Sequence, residues 1–151
     1  SHAYGGKRSA RTEIMYRNGG TAYIYLCYGI HSLFNVVTNV DGIPHVVLVR
    51  AVYPVKGVEA ILERRKKTKL DNKIAVGPGN VGVAMGLHFK ESGKDLLGDD
   101  IWIEDKGIIF PENIIHSGPR IGVAYAAEDA LLPYRFWVEH KLISQFGNFK
   151  I

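Results

Sequence analysis

Aromatic and basic residues are concentrated in the first thirty positions of the chain. Tyr23, Tyr25 and Tyr28 lie in a stretch rich in residues that favour β-strands. The twenty residues before this stretch hold four basic side chains against one acidic side chain, Glu13. Aromatic rings in a positive groove hold unstacked nucleotides, so the pattern indicates a surface for nucleic acid. The four basic residues are Lys7, Arg8, Arg11 and Arg17.

Other interpretations of these patterns stay open. The tyrosines also fit a structural edge strand, or the lining of a small-molecule cavity in a β-rich domain. A second basic run, residues 64–69, fits a solvated helix end as well as a nucleic-acid contact, because the helix dipole favours cations there.

Composition narrows the class of protein. The chain has 151 residues, 46% hydrophobic and 23% charged, with a formal net charge of +4. A chain of this length buries about two thirds of its unfolded surface and needs no metal or disulfide to fold. One cysteine, Cys27, and six dispersed histidines give no zinc-type spacing. No apolar stretch reaches the ~20 residues of a membrane helix, so no membrane partner is expected.

Three strands are predicted after residue 20, since turn signals separate three segments rich in β-branched and aromatic residues. The pair Asp41-Gly42 is the strongest hairpin signal. Their close succession predicts an antiparallel meander, preceded by a loop-rich surface region over residues 1–20. The predicted strands are 21–28, 33–39 and 45–52.

Helices are predicted over residues 58–67 and 77–86, the second with a proline in its first turn. Four further segments are rich in β-forming residues. Together these signals predict an α+β fold in a single domain, mainly antiparallel sheet with a few short helices. The four segments are 101–104, 107–110, 120–124 and 134–138.

Short motifs over nearly the whole chain occur in a recognisable order. They begin with Ser-His-Ala-Tyr-Gly-Gly-Lys-Arg at 1–8 and Gly-Thr-Ala-Tyr-Ile-Tyr at 20–25. They continue with Phe-Asn-Val at 34–36, Val-Leu-Val-Arg-Ala at 47–51, Gly-Pro-Gly at 77–79, Pro-Arg-Ile-Gly-Val at 119–123 and Pro-Tyr-Arg-Phe at 133–136. Each motif is weak alone, but the ordered set resembles the alkyladenine (methylpurine) DNA glycosylase family.

The resemblance implies a base-excision repair enzyme. Such enzymes flip an alkylated or deaminated purine out of duplex DNA and hydrolyse its N-glycosidic bond, which leaves an abasic site. Water is the nucleophile, and no cofactor or metal is implied. The implied partner is duplex DNA containing damaged purines, bound by a monomer. We expect the protein in the cytoplasm with the nucleoid in a bacterium, or in the nucleus in a eukaryote.

The resemblance also assigns roles to matching residues. Tyr28 matches the tyrosine that enters the minor groove, while His2 and Tyr25 match the aromatic residues that stack the damaged base. Asn35 matches the asparagine that crowds the exocyclic amine of guanine, and an asparagine satisfied within its strand is the alternative. Arg50 matches the arginine that positions the water, with a structural salt bridge as the alternative. Phosphate contacts are expected from Lys7, Arg8, Arg11 and Arg17.

Two family features are missing from the sequence. Members carry a Glu-Ala-Tyr segment about ten residues before the matching histidine, and its glutamate is the general base. The sequence starts at Ser1 without this segment, and neither Glu13 nor Asp41 matches it. We expect an N-terminally incomplete piece of a longer enzyme, with a noncatalytic nucleic-acid-binding module as the alternative. Asn80-Val81 stands where many members have Lys-Leu, which removes one expected DNA contact.

Overall fold

The computed structural model describes residues 2–146 as two compact units, which divide after Glu104. Both units consist of antiparallel strands and short helices, which confirms the predicted α+β class. The helices found among residues 2–146 are too short or too polar to span a lipid bilayer.

A three-stranded antiparallel sheet organises the first unit. Its strands lie in the order β1-β2-β3, which confirms the meander. The third strand is shorter than predicted, because beyond it the chain pairs with Val76 through Ala51 instead of continuing along β2. The strands are β1 (Ala22–Cys27), β2 (His31–Val37) and β3 (Val46–Leu48).

Both faces of this sheet are covered. Tyr23 and Val37 pack with Met15 on one face, while Ile24 and Phe34 pack with a second cluster on the other. The alternation of side chains along β1 produces this division. We call the side that carries Tyr23 the first face.

The segment 2–20 corrects the prediction of a surface region. Although it is loop-rich, with 3-10 turns at Tyr4–Gly6 and Glu13–Tyr16, it buries Ala3, Met15 and Tyr16 against the first face. Its few apolar side chains lack any period, because short 3-10 turns do not repeat one face as a helix does.

Two helices complete the first unit, α1 (Val58–Arg65) and α2 (Pro78–Met85), and both confirm the predicted positions. The start of the basic run has a structural role. Arg64 Nη1 donates to the Ala84 carbonyl at 3.1 Å, and Arg65 Nε donates to the Ile74 carbonyl at 2.9 Å.

The second unit holds a two-stranded antiparallel sheet and a short helix, α3 (His140–Phe146). The strand predicted at 134–138 is confirmed, whereas those at 107–110 and 120–124 are wrong. The segment 101–104, which belongs to the first unit, makes only a bridge at Trp102. Ile109 is 83% exposed, so its β-forming side chain has no sheet surface to pack on. The two strands are β4 (His116–Gly118) and β5 (Arg135–Trp137).

Candidate active site

Tyr28 lies at the tip of the hairpin that joins β1 to β2. Its backbone has a φ of +51°, in the left-handed region that disfavours side chains, and its side chain is 92% exposed. Gly29 follows with a φ of +72°, so the two residues together make the tight turn. The ring therefore stands clear of the sheet, as the predicted wedge requires.

Three aromatic side chains meet at the start of this hairpin. The His2 ring lies edge-on to Tyr25, with centroids 4.7 Å apart, and Tyr23 lies 5.5 Å from Tyr25. The His2 Nδ1 atom is 3.0 Å from the Tyr23 hydroxyl. The structure thus brings together the two predicted stacking residues and adds Tyr23, and we call these three side chains the aromatic cluster.

The rings of the aromatic cluster are packed too closely to hold a base between them. A base stacked between two rings needs them parallel and about 7 Å apart, which is two van der Waals separations. His2 and Tyr25 instead meet at 4.7 Å with their planes 81° apart. A purine can lie between them only after His2 moves.

Arg11 caps the aromatic cluster. Its guanidinium carbon lies 4.7 Å from the centre of the Tyr25 ring, within the range of a cation–π contact. Its Nη2 atom is 3.3 Å from His2 Nε2. Because arginine has only donors, His2 Nε2 accepts here, which leaves the proton of a neutral imidazole on Nδ1, facing Tyr23.

The His2 imidazole is held in its neutral form. Burial, and then the positive charge of Arg11, lower the pKa of His2 from its ordinary value of 6.5. Burial also raises the pKa of the Tyr23 hydroxyl, against an opposing effect of Arg11. Near neutral pH the aromatic cluster is therefore uncharged, and the guanidinium of Arg11 is a cation in contact with it.

We expect the free energy of unfolding to fall as the pH drops below 6.5. Because the pKa of His2 is lower in the folded protein, the unfolded chain takes up this proton at a higher pH than the folded chain does. The contribution of His2 to the free energy of unfolding is therefore complete above pH 6.5 and is lost as the pH falls towards the folded pKa. Urea unfolding between pH 7.5 and 5 measures this loss. His2→Gln should show a shallower fall, and an identical pH dependence in both proteins would contradict the assignment.

Asn35 lies on the first face of the sheet, opposite Tyr23 in the ladder. Its side chain is buried, and Nδ2 donates to the carbonyls of Tyr23 and Leu33, each at 3.1 Å. Two bonds use both amide hydrogens and fix the orientation of the side chain. The structure therefore shows the alternative considered above, in which backbone groups nearby satisfy the hydrogen bonds of Asn35. The same bonds make Asn35 a rigid part of the first face.

Arg50 follows β3 and is partly buried. Its carbonyl accepts from the Gly77 amide at 2.8 Å, which ties it to the start of α2. Leu48, two residues earlier, pairs with Asn35, so Arg50 lies near the strand that carries the predicted pocket asparagine. Its predicted role with water remains a prediction.

The predicted phosphate contacts differ in their surroundings. Arg8 pairs with Glu13 at 2.6 Å and lies over the Tyr16 ring, whereas Arg17 Nη1 donates to the Gly93 carbonyl at 3.4 Å. Lys7 is exposed, and its carbonyl accepts from Tyr16 Oη. All three lie at the surface, where a backbone phosphate can approach them.

An open cleft of about 280 Å³ borders β1, which is an edge strand of the sheet. Arg11, Tyr23 and Tyr25 line this cleft and also belong to the closed arrangement described above. Phe89 extends the apolar wall. The aromatic cluster and Arg11 therefore border the same open cleft.

Sequence reasoning did not assign Tyr23 or Arg11 to the stacking site, although it named both as candidates for a nucleic-acid surface. The position of Tyr23 could have been predicted, since alternation places it on the same face as Tyr25. The position of Arg11 over Tyr25 had no sequence signal, because residues 2–20 follow no regular period. Among residues 2–146, no three His, Cys, Asp or Glu side chains are grouped so as to hold a metal ion.

Fold and site together define an α+β protein with an aromatic cluster beside an exposed aromatic hairpin tip. The chain belongs to the methylpurine-DNA glycosylase family, whose profile matches residues 1–142. Members of this family are hydrolases that act on N-glycosyl bonds.

Relatives named as 3-methyladenine DNA glycosylases support the same assignment. The Chlamydia felis protein is 41% identical over 141 residues, which cover 93% of this chain and 71% of the relative. A Bacillus cereus protein is 40% identical over 154 aligned positions, which cover 96% of this chain and 75% of the relative. A Bacillus anthracis protein matches to the same extent.

Proposed function

We propose that this chain recognises a damaged purine in duplex DNA, flips it from the helix and hydrolyses its N-glycosidic bond. One observation carries the proposal: a single hairpin holds two tyrosines of the aromatic cluster on the first face and an exposed tyrosine at its tip. Tyr25 and Tyr28 are three residues apart, which places their Cα atoms at most about 10 Å from each other. That separation lets one element fill the gap in a base stack and receive the base that left it.

Tyr28 supplies the wedge. A flipped nucleotide leaves its neighbours unstacked, at a cost of a few kcal/mol. An aromatic ring inserted from the minor groove replaces part of that stacking. The left-handed turn at Tyr28 supports this role, because it projects the ring away from the sheet while β1 and β2 hold the turn rigid.

Tyr25 and Asn35 supply recognition. Alkylation at a ring nitrogen gives a purine positive charge, and the face of an aromatic ring attracts a cation. Asn35 excludes guanine-type bases by its fixed bulk, since its two hydrogen bonds prevent it from moving aside for an exocyclic amine. Arg50 positions the attacking water, and the exposed basic side chains of segment 2–20 contact backbone phosphates.

Duplexes that carry one hypoxanthine, ethenoadenine or 3-methyladenine test the proposal against an undamaged duplex of the same sequence. Affinity is measured at several salt concentrations, and released base is quantified by chromatography. Lesion-selective binding with base release supports the whole proposal. Selective binding without release supports recognition alone and identifies a noncatalytic nucleic-acid-binding module. Equal affinity for damaged and undamaged duplexes would contradict both.

Asn35→Ala is expected to relax selectivity and to weaken the fold. Removal of the side chain opens space for the guanine amine, so the ratio of binding to 7-methylguanine over hypoxanthine duplexes should rise. The loss of two buried hydrogen bonds should lower the free energy of unfolding by about 1–3 kcal/mol. Competition binding and urea unfolding measure the two effects. An unchanged ratio alongside a weakened fold would assign Asn35 a structural role alone.

A further inference from the structure

Arg11 covers one face of the Tyr25 ring, which is the kind of surface on which a cationic base would stack. Its guanidinium lies over the ring with 4.7 Å between its carbon and the ring centre. One ring face accepts one cation, and a second positive charge beside it is repelled. Arg11 and a protonated or alkylated purine therefore compete for the same surface.

The contacts of Arg11 hold the aromatic cluster closed. Its Nη2 atom lies 3.3 Å from His2 Nε2, and the His2 Nδ1 atom is 3.0 Å from the Tyr23 hydroxyl. Arg11 thus contacts His2 and Tyr25 together, while the angle between those two rings leaves no space for a base. Removal of the guanidinium would break the hydrogen bond to His2 and uncover Tyr25 in one step.

We propose that Arg11 is a displaceable plug, which closes the aromatic cluster and leaves it for a DNA phosphate when a damaged purine is inserted. This inference rests on the proposed function. Arg11 is exposed and lies on the basic segment 2–20, so a phosphate can reach it. Guanidinium binds phosphate through two parallel hydrogen bonds, which are stronger than its contacts with neutral rings.

The plug gives the site a preference for nucleotides in DNA over loose bases. A base on a duplex brings the phosphate that draws Arg11 away, whereas a loose purine must displace Arg11 without such help. The return of Arg11 to Tyr25 after hydrolysis would favour release of the excised base. Arg11 is therefore a gating residue, separate from the water-positioning role proposed for Arg50.

Arg11→Gln tests the plug by its opposite effects on two ligands. We expect the variant to bind free 1,N6-ethenoadenine about threefold to thirtyfold more tightly than the parent chain, the range set by one cation–π contact. Its affinity for a lesion duplex should fall, and the slope of log affinity against log salt concentration should become smaller by about one. Fluorescence titration measures the free base, and anisotropy measures the duplex.

Arg17→Gln is the matched control, because it removes the same charge from the same segment without touching the aromatic cluster. We expect it to lose duplex affinity while its affinity for the free base stays at the parent value. An Arg11→Gln protein that behaves in the same way, with no gain for the free base, would overturn the plug and leave Arg11 as a phosphate contact.

An NMR measurement separates failure of the plug from failure of the proposed function. The Tyr25 ring current should shift the Arg11 side-chain protons upfield in the parent chain and not in Tyr25→Leu. Absence of this shift overturns the plug, whatever the chain binds. A shift that persists in the saturated lesion complex also overturns it. Failure of the chain to bind any lesion duplex overturns the proposed function and the displacement that depends on it.

Discussion

Gly82→Ala is expected to lower the free energy of unfolding by about 2–4 kcal/mol, although alanine favours helices more than glycine does. A Cβ atom at this position would lie 2.2 Å from the Ser32 carbonyl oxygen. That oxygen belongs to the backbone of β2, so it cannot rotate away as a side chain would. Relief requires α2 to move off the sheet, which opens a gap along their contact.

Gly79→Ala provides the control for this substitution. Gly79 lies in the same helix, but the atoms nearest to a Cβ there belong to the His31 ring, the first at 3.0 Å. The exposed His31 side chain can turn aside, and alanine gains helix propensity, so we expect a change within about 1 kcal/mol. Urea unfolding of both variants measures the two changes in the free energy of unfolding. Similar losses in the two proteins would show that the close approach at Gly82 does not limit stability.

The same contact shows what sequence can and cannot predict about α2. Its bounds were predictable, because Pro78 suits a first turn and Gly86 ends the helix in the left-handed conformation. The glycine at position 82 only weakened that prediction. A glycine is needed at position 82 because β2, fifty residues earlier in the chain, approaches the helix closely there. No local sequence pattern contains that information.

In the second unit, local composition was a poor guide to where strands form. Local composition predicted a strand at 120–124, yet Gly122 has a φ of +75° and the segment pairs with no strand among the described residues. β4 instead forms from His-Ser-Gly, a sequence with little β-propensity, because β5 supplies its partner. Strand formation depends on a neighbour as well as on the residues themselves.

The candidate site likewise has residues whose positions the sequence predicts and residues whose positions it does not. Alternation along β1 predicts that Tyr23 and Tyr25 share a face, and the turn at Gly29 predicts an exposed Tyr28. The positions of His2 and Arg11 depend on how an irregular segment packs on that face, for which no period exists. Resemblance to a family could name His2, but it could not reveal that Arg11 covers Tyr25.

Tyr28→Ala is expected to weaken binding to a lesion duplex by about five- to a hundredfold, the range of one base-stacking contact. Binding to a single strand that carries the same lesion should fall less than about threefold. The difference arises because a duplex has a gap to fill after flipping, whereas a single strand has none. Since Tyr28 is 92% exposed, the fold should lose no more than about 0.5 kcal/mol.

Two further variants isolate the ring from general loss of aromatic surface. Tyr28→Phe keeps the ring and should retain most of the lesion-duplex affinity. Tyr4→Ala removes another exposed tyrosine, 77% exposed, which lies in segment 2–20 and not on the hairpin. We expect Tyr4→Ala to leave the ratio of duplex to single-strand affinity unchanged. Anisotropy titrations with matched duplex and single-stranded oligonucleotides measure that ratio. Equal losses on both substrates in Tyr28→Ala would make Tyr28 a surface aromatic and remove the wedge from the proposed mechanism. A selective loss on the duplex would instead explain why a tyrosine occupies a backbone conformation that favours glycine.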